Sequence, residues 1–218
     1  NLILVFKGTG FRVFDLSIDL DLYQTKFPYV SRAGKTHEGF TYLYGYLRNP
    51  IIHTCCELAK RRKCKLYITG YSLGGALATL AALDIAKHTP FRRPKVYTFG
   101  APRVGNPLFA ENYDASINES VRIVNTHDYI PLEPQANIKP PFTKKGMVYK
   151  HVKGYFPISF QCKKGNEPMR FPLLKNHQLD MYFSALARFC PRYTEKICLE
   201  NPHFCPKLHK DLCVKYVR

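Results

Sequence analysis

Ser72 stands in the run Gly70-Tyr71-Ser72-Leu73-Gly74, between the apolar stretch at 65–69 and an alanine- and leucine-rich stretch that starts at Gly75. A hydroxyl with glycine two places before and two places after it fits a nucleophile held on a sharp strand-to-helix turn. The backbone of such a turn is strained, and side chains at Gly70 and Gly74 would collide with the neighbouring elements. A helix starting just beyond it points its N-terminal dipole at the same spot, which favours the negative charge of an oxyanion. The competing reading is a tight connection with no chemistry, because G-x-S-x-G occurs by chance in many proteins. The strand-like and helix-like flanks favour the nucleophile.

A serine is a poor nucleophile without a base, and the base needs a carboxylate to hold its tautomer. In the α/β-hydrolase arrangement the chain order is serine, acid, histidine. That order sets aside His37 and His53 and asks for an acid at the end of a later strand. Asp128 meets the demand, just past the apolar run 121–124. His127 precedes the acid, so the order disfavours it too. His151, His177, His203 and His209 follow Asp128. His177 lies in a loop-like stretch directly before a helical one and is the favoured base, whereas His151 falls inside a strand-like run and the last two lie among cysteines. The tetrahedral oxyanion needs donors. One is the backbone N–H of Leu73. The other is expected from Thr9, in the loop that follows the strand-like stretch 2–6.

These residues need a scaffold, and the chain alternates strand-like and helix-like segments, as an α/β sheet with crossover helices does. Strands are expected at 2–6, 65–69, 95–99 and 121–125. Helices are expected at 39–61, 75–87, 104–113 and 179–189, the first with Phe40, Leu43, Leu47, Ile51, Ile52 and Leu58 near helical spacing. Prolines 131, 134, 140 and 141 mark a loop, and 147–160 reads as an antiparallel pair or one long strand. At 218 residues and 45% apolar the chain is one ordinary globular domain. It begins without methionine on a strand-like segment, which points to a piece of a longer chain. The net charge is +17, and residues 139–218 carry 16 Lys/Arg against 5 Asp/Glu, a net +11. Such an excess attracts anionic lipid surfaces or simply solubilises. Nucleic acid is not expected, for want of zinc-finger spacing, RNA-binding aromatics or a basic heptad helix. Eight cysteines favour disulfides and an oxidising or secreted location. A metal site in the tail is disfavoured because it lacks a paired C-x-x-C.

Taken in order, several segments resemble the class 3 lipases, the fungal-type triacylglycerol lipase family of α/β-hydrolases. Phe6-Lys7-Gly8-Thr9 is similar to that family's F-R-G-[ST], and His37-Glu38-Gly39-Phe40 to its H-x-G-F. Residues 69–78, TGYSLGGALA, resemble T-G-H-S-L-G-G-A-L-A, and 99–106, FGAPRVGN, match the segment after the next strand. Residues 122–131, RIVNTHDYIP, resemble R-x-V-N-x-x-D-x-V-P, and 176–182, NHQLDMY, the stretch holding the family histidine. The resemblance spans about residues 1 to 186. It implies a Ser72–Asp128–His177 triad, an oxyanion hole of Thr9 and Leu73, and an elbow framed by Gly70 and Gly74. It implies an α/β-hydrolase fold with a mainly parallel central sheet, N-terminally truncated, since the family's upstream helix and strand have no counterpart here.

Tyr71 stands where the family usually has histidine. The Cys-rich basic tail after Arg188 has no recognised counterpart, so the expected division is 1–188 and a C-terminal extension, 189–218. The family's lid would fall at 10–20, although Phe14, Leu16, Ile18, Leu20 and Leu22 alternate as in a half-buried strand. The implied activity is serine-dependent hydrolysis of lipid esters, needing no cofactor or metal. The substrate is a lipid or ester, met in solution or on an anionic membrane or lipid-droplet surface. Phospholipase A1, galactolipid or small-ester specificity is the alternative within the family. A catalytically silent lipid- or protein-binding domain is the alternative outside it.

Overall fold

A computed structural model of the chain describes residues 1–8, 23–61, 63–139, 145–161 and 175–202, and the backbone of 213–215. The chain divides into two compact units, Asn1–Arg122 with Ile130–Tyr155, and Ile123–Tyr129 with Phe156–Arg218.

The first unit is built on parallel strands. Strand β1 (Leu2–Phe6) is followed by the short antiparallel pair β2 (Gln24–Lys26) and β3 (Lys35–His37). Helix α1 (Glu38–Arg61) leads to β4 (Leu66–Tyr71), which runs parallel to β1 with Leu2 opposite Leu66 and Phe6 opposite Gly70. Helix α2 (Leu73–His88) then crosses to β5 (Lys95–Phe99), parallel to β4 on its other side. Helix α3 (Pro107–Ser116) follows, opened by Asn106, whose side chain accepts from the Phe109 N–H at 3.0 Å. Strand β6 (Glu119–Asn125) starts in this unit. After it come a 3₁₀ turn at Ile130–Leu132 and the antiparallel pair β7 (Asn137–Ile138) and β8 (Met147–Val148).

Helix α2 is apolar all round, and every residue from Leu73 to Ala86 is buried. Its small alanines let it lie close to the strands. The charged residue in that buried run is Asp84, fully buried, and it is paired accordingly. Arg48 donates from Nε to Oδ2 at 2.7 Å and from Nη2 to Oδ1 at 3.2 Å, and the Tyr44 hydroxyl donates to Oδ2 at 2.7 Å. His88 Nδ1 lies 2.7 Å from Oδ1. This cluster decides which side of α1 faces inward. The buried stripe of α1 contains Phe40, Thr41, Tyr44 and Cys55, while Leu43 and Leu47 are exposed. Of the apolar positions expected on α1, Phe40 is buried and Ile51 and Ile52 pack against the core, whereas Leu43 and Leu47 give way on the inner side to Tyr44 and Arg48, which meet the buried carboxylate.

The second unit holds the end of β6, β9 (Tyr155–Gln161) from Phe156 onward, helix α4 (Leu179–Phe189), helix α5 (Pro191–Glu200) and β10 (Cys213–Lys215). Strand β10 runs antiparallel to β9, with Cys213 opposite Gln161. The stretch 147–160, expected as an antiparallel pair or one long strand, holds two strands with different partners: β8 pairs with β7, and β9 with β10. Helix α4 buries Met181, Tyr182, Ser184, Ala185 and Ala187, whereas α5 buries no residue. Cys198 is disulfide-bonded, and Cys55, Cys56, Cys64 and Cys190 are free thiols. Among the described residues no helix is long and apolar enough to cross a membrane.

Candidate active site

Ser72 occupies the one-residue junction between β4 and α2 with φ 57° and ψ −127°, a left-handed backbone that a residue with a Cβ adopts only at a cost of about 1–3 kcal/mol. The junction is held from both sides. The Ser72 N–H donates to the Phe99 carbonyl at 2.9 Å, and the Ser72 carbonyl accepts from the Gly75 and Ala76 N–H groups at 2.9 and 3.2 Å. A serine at a helix start ordinarily caps it, yet the Ser72 side chain makes no capping bond.

The flanking glycines are required by contact. A Cβ on Gly70 would fall on the Gly74 carbonyl, well inside contact distance. A Cβ on Gly74 would fall on the Phe6 carbonyl and 2.9 Å from the Lys7 carbonyl carbon. The turn therefore closes directly against the chain that leaves β1. Leu73 is the first residue of α2 and is buried. Its N–H belongs to the first turn, whose donors have no partner within the helix. Thr9 and the expected lid at 10–20 lie outside the described residues.

In the second unit, Asp128 and His177 come together although 49 residues separate them. His177 Nδ1 lies 2.7 Å from Asp128 Oδ2, and both residues are buried. A proton on Nδ1 facing the carboxylate leaves Nε2 with its lone pair, the tautomer a general base needs. Asp128 follows β6 on a tight turn in which its N–H donates to the Asn125 carbonyl at 2.9 Å. His177 sits two residues ahead of α4, on the loop expected for it.

A third side chain joins the pair. The Tyr182 hydroxyl donates to Asp128 Oδ2 at 2.6 Å and accepts from the Asn125 N–H at 3.0 Å. Tyr182 is completely buried on α4 and packs edge-on against Phe160. Sequence reading gave it no role. The available signal was its hydroxyl, since a buried tyrosine usually finds a partner for it.

The other histidines are placed elsewhere. His127 is exposed. His151 is half-buried in a loop of the first unit, not in the strand expected for it, with Nε2 2.7 Å from the Pro131 carbonyl, and desolvation pushes its pKa down to about 3. His37 accepts from the Phe40 N–H at 3.3 Å and stacks on that ring, and burial lowers it to about 4. His203 and His209 lie outside the described residues. Among the described residues no group of three His, Cys, Asp or Glu is placed to hold a metal ion.

Known proteins bear on this geometry. The family model described as lipase (class 3) matches residues 3–138. A lipase of Rhizomucor miehei is 36% identical over 138 residues, covering 61% of this chain and 37% of the relative. The solved structure of that organism's lipase with its propeptide superposes with a TM-score of 0.61 at 31% identity, covering 72% of this chain and 48% of that one. A secreted mono- and diacylglycerol lipase of Malassezia globosa is 33% identical over 131 residues, covering 54% of this chain and 43% of the relative. A chloroplastic phospholipase A1 of Arabidopsis thaliana is 45% identical over 74 residues, covering 31% and 14%. The chain thus spans less than half the length of each of these relatives.

Proposed function

The chain belongs to the class 3 lipase family and has its α/β-hydrolase fold, and on that premise we propose that it hydrolyses lipid esters through an acyl-enzyme on Ser72. The observation that carries this reading is the serine's backbone, held at a positive φ between a parallel strand and a buried helix. The Asp128–His177 pair supports it by supplying an oriented base.

The reaction follows from these roles. Ser72 Oγ attacks the acyl carbonyl while His177 Nε2 takes the hydroxyl proton. The tetrahedral oxyanion is met by the Leu73 N–H, with Thr9 as second donor. Collapse expels the alcohol, which leaves with the proton from His177, and the acyl group stays on Ser72. Water then attacks the acyl-enzyme, His177 again takes the proton, and the carboxylic acid departs as Ser72 regains its hydrogen. Asp128 holds the imidazole and stabilises its charged form throughout.

The substrate class we favour is acylglycerol, the class in the name of the Malassezia relative. The phospholipase A1 relative keeps phospholipid as the second reading. The basic residues from 139 onward favour an anionic lipid surface, and residues 189–218, with the disulfide-bonded Cys198, form a C-terminal extension suited to a secreted protein.

A fluorophosphonate probe tests the chemistry. It should label Ser72 in the wild-type chain, and His177→Ala should slow labelling by roughly 10⁴-fold or more. A folded chain that stays unlabelled is a silent binding domain instead. Comparison of acylglycerol emulsions with phosphatidylcholine vesicles separates the two substrate readings. Binding to anionic vesicles should weaken as salt is raised.

A further inference from the structure

We infer that Asn125 and Asn176 are positioning residues for the acid–base pair, forming a reciprocal amide clip between the two peptide units that precede Asp128 and His177. This inference rests on the proposed roles of Asp128 and His177.

The pattern of bonds is specific. The side chain of Asn125 donates from Nδ2 to the Asn176 carbonyl at 3.1 Å, and that carbonyl belongs to the peptide unit immediately before His177. The side chain of Asn176 donates in return from Nδ2 to the His127 carbonyl at 3.2 Å, the peptide unit immediately before Asp128. Each asparagine therefore holds the backbone next to the other's functional residue. Both are buried, Asn125 completely and Asn176 to within 4%. An amide that is buried this fully is costly unless its groups are used.

Asn125 uses the rest of its groups on the same framework. Its Oδ1 accepts from the Phe160 N–H at 3.1 Å, fixing the end of β6 to β9, and from the His127 N–H at 3.3 Å inside the turn that carries Asp128. Its own N–H donates to the Tyr182 hydroxyl that also reaches Asp128. One side chain thus ties the acid's turn to the neighbouring strand and to the base's loop. An aliphatic residue of the same size could fill the space but could not set the separation of the two peptide units. The 2.7 Å contact between Asp128 and His177 depends on that separation, because a carboxylate and an imidazole on independent loops drift apart unless their backbones are tied.

The arrangement predicts a defect in rate and not in substrate binding. Asn176→Asp keeps the size and the accepting carbonyl but replaces the Nδ2 donor with an acceptor facing the His127 carbonyl. On a soluble short-chain ester, kcat should fall roughly 100-fold with KM held within about twofold, the scale expected when a reacting group is misplaced by about 1 Å. Labelling of Ser72 by the fluorophosphonate should slow by the same factor. Asn176→Ala, which removes the donor without adding an acceptor, should give the same split if the aspartate variant does not fold. A folded variant with wild-type kcat, or one in which KM rises and kcat does not fall, overturns the clip. If the wild-type chain itself is not labelled at Ser72, the triad reading fails and the clip falls with it. A wild type that labels beside a variant that labels equally fast sinks the clip alone.

Discussion

Ser72 and His177 are both buried and both read as reactive groups, yet different physics holds them. Ser72 is placed by exclusion. Its backbone has one route between β4 and α2 because Gly70, Gly74 and the chain leaving β1 approach too closely to admit a Cβ. His177 is placed by attraction. Its loop is set by hydrogen bonds to Asp128 and, through Asn176, to Asn125 and His127. Steric placement is local and leaves glycines at fixed offsets in the sequence. Polar placement draws on residues up to 57 positions apart and leaves no such mark.

Breaking the steric side should cost most. Gly70→Ala puts a methyl group on the Gly74 carbonyl and should destabilise by about 3 kcal/mol or more, with loss of Ser72 labelling, measured by urea unfolding and the probe. Gly146→Ala is the control, because its Cβ would meet the Ile138 carbonyl only at 3.5 Å, an ordinary contact. It should change stability by no more than about 0.5 kcal/mol. Equal losses in the two variants would mean that close approach is not what positions the elbow.

Breaking the polar side should cost less in stability and more selectively in rate. Tyr182→Phe removes the hydroxyl that serves both Asp128 and the Asn125 N–H. Unfolding free energy should fall by about 1.5–3 kcal/mol, and kcat should fall by roughly tenfold. A folded phenylalanine variant with unchanged kcat would show that Tyr182 supports packing alone.

The smallest effect, taken per pH unit, concerns His37 and His151, two desolvated histidines outside the proposed triad. Burial lowers His37 to about 4 and His151 to about 3, below the ordinary value near 6.5. Above about pH 6.5 these groups are neutral whether the chain is folded or not, so stability there is independent of them. As pH falls from 6.5 toward 4 the unfolded chain takes up protons that the folded one refuses, and stability drops by on the order of 1 kcal/mol per pH unit for each histidine. His37→Gln should flatten that slope in a pH series of urea midpoints. An unchanged slope would place the acid sensitivity elsewhere.

The contrast explains what was legible in advance. The parallel strands, the glycine-framed turn at Ser72, Asp128 past β6 and His177 ahead of α4 follow from apolar runs, glycine offsets and chain order, and each of these residues lies at the place in the fold to which the sequence pointed. Leu43 and Leu47 of α1 were misplaced because apolar counting treats Arg48 as a surface residue, whereas the buried Asp84 draws it inward. Tyr182 and the two asparagines were passed over because a polar atom on an apolar face announces its need for a partner but not which partner.

What the sequence determined by itself was the alternation of strands and helices, the strained turn at Ser72, and the order in which serine, acid and histidine occur. Those are consequences of short-range sterics and periodicity, which act between residues a few places apart. Only the tertiary structure decided which side of α1 is buried, which hydroxyl reaches Asp128, and how Asn125 and Asn176 bind the backbones beside Asp128 and His177. Hydrogen bonds between distant residues depend on separations of a few tenths of an ångström, and only the folded chain sets those.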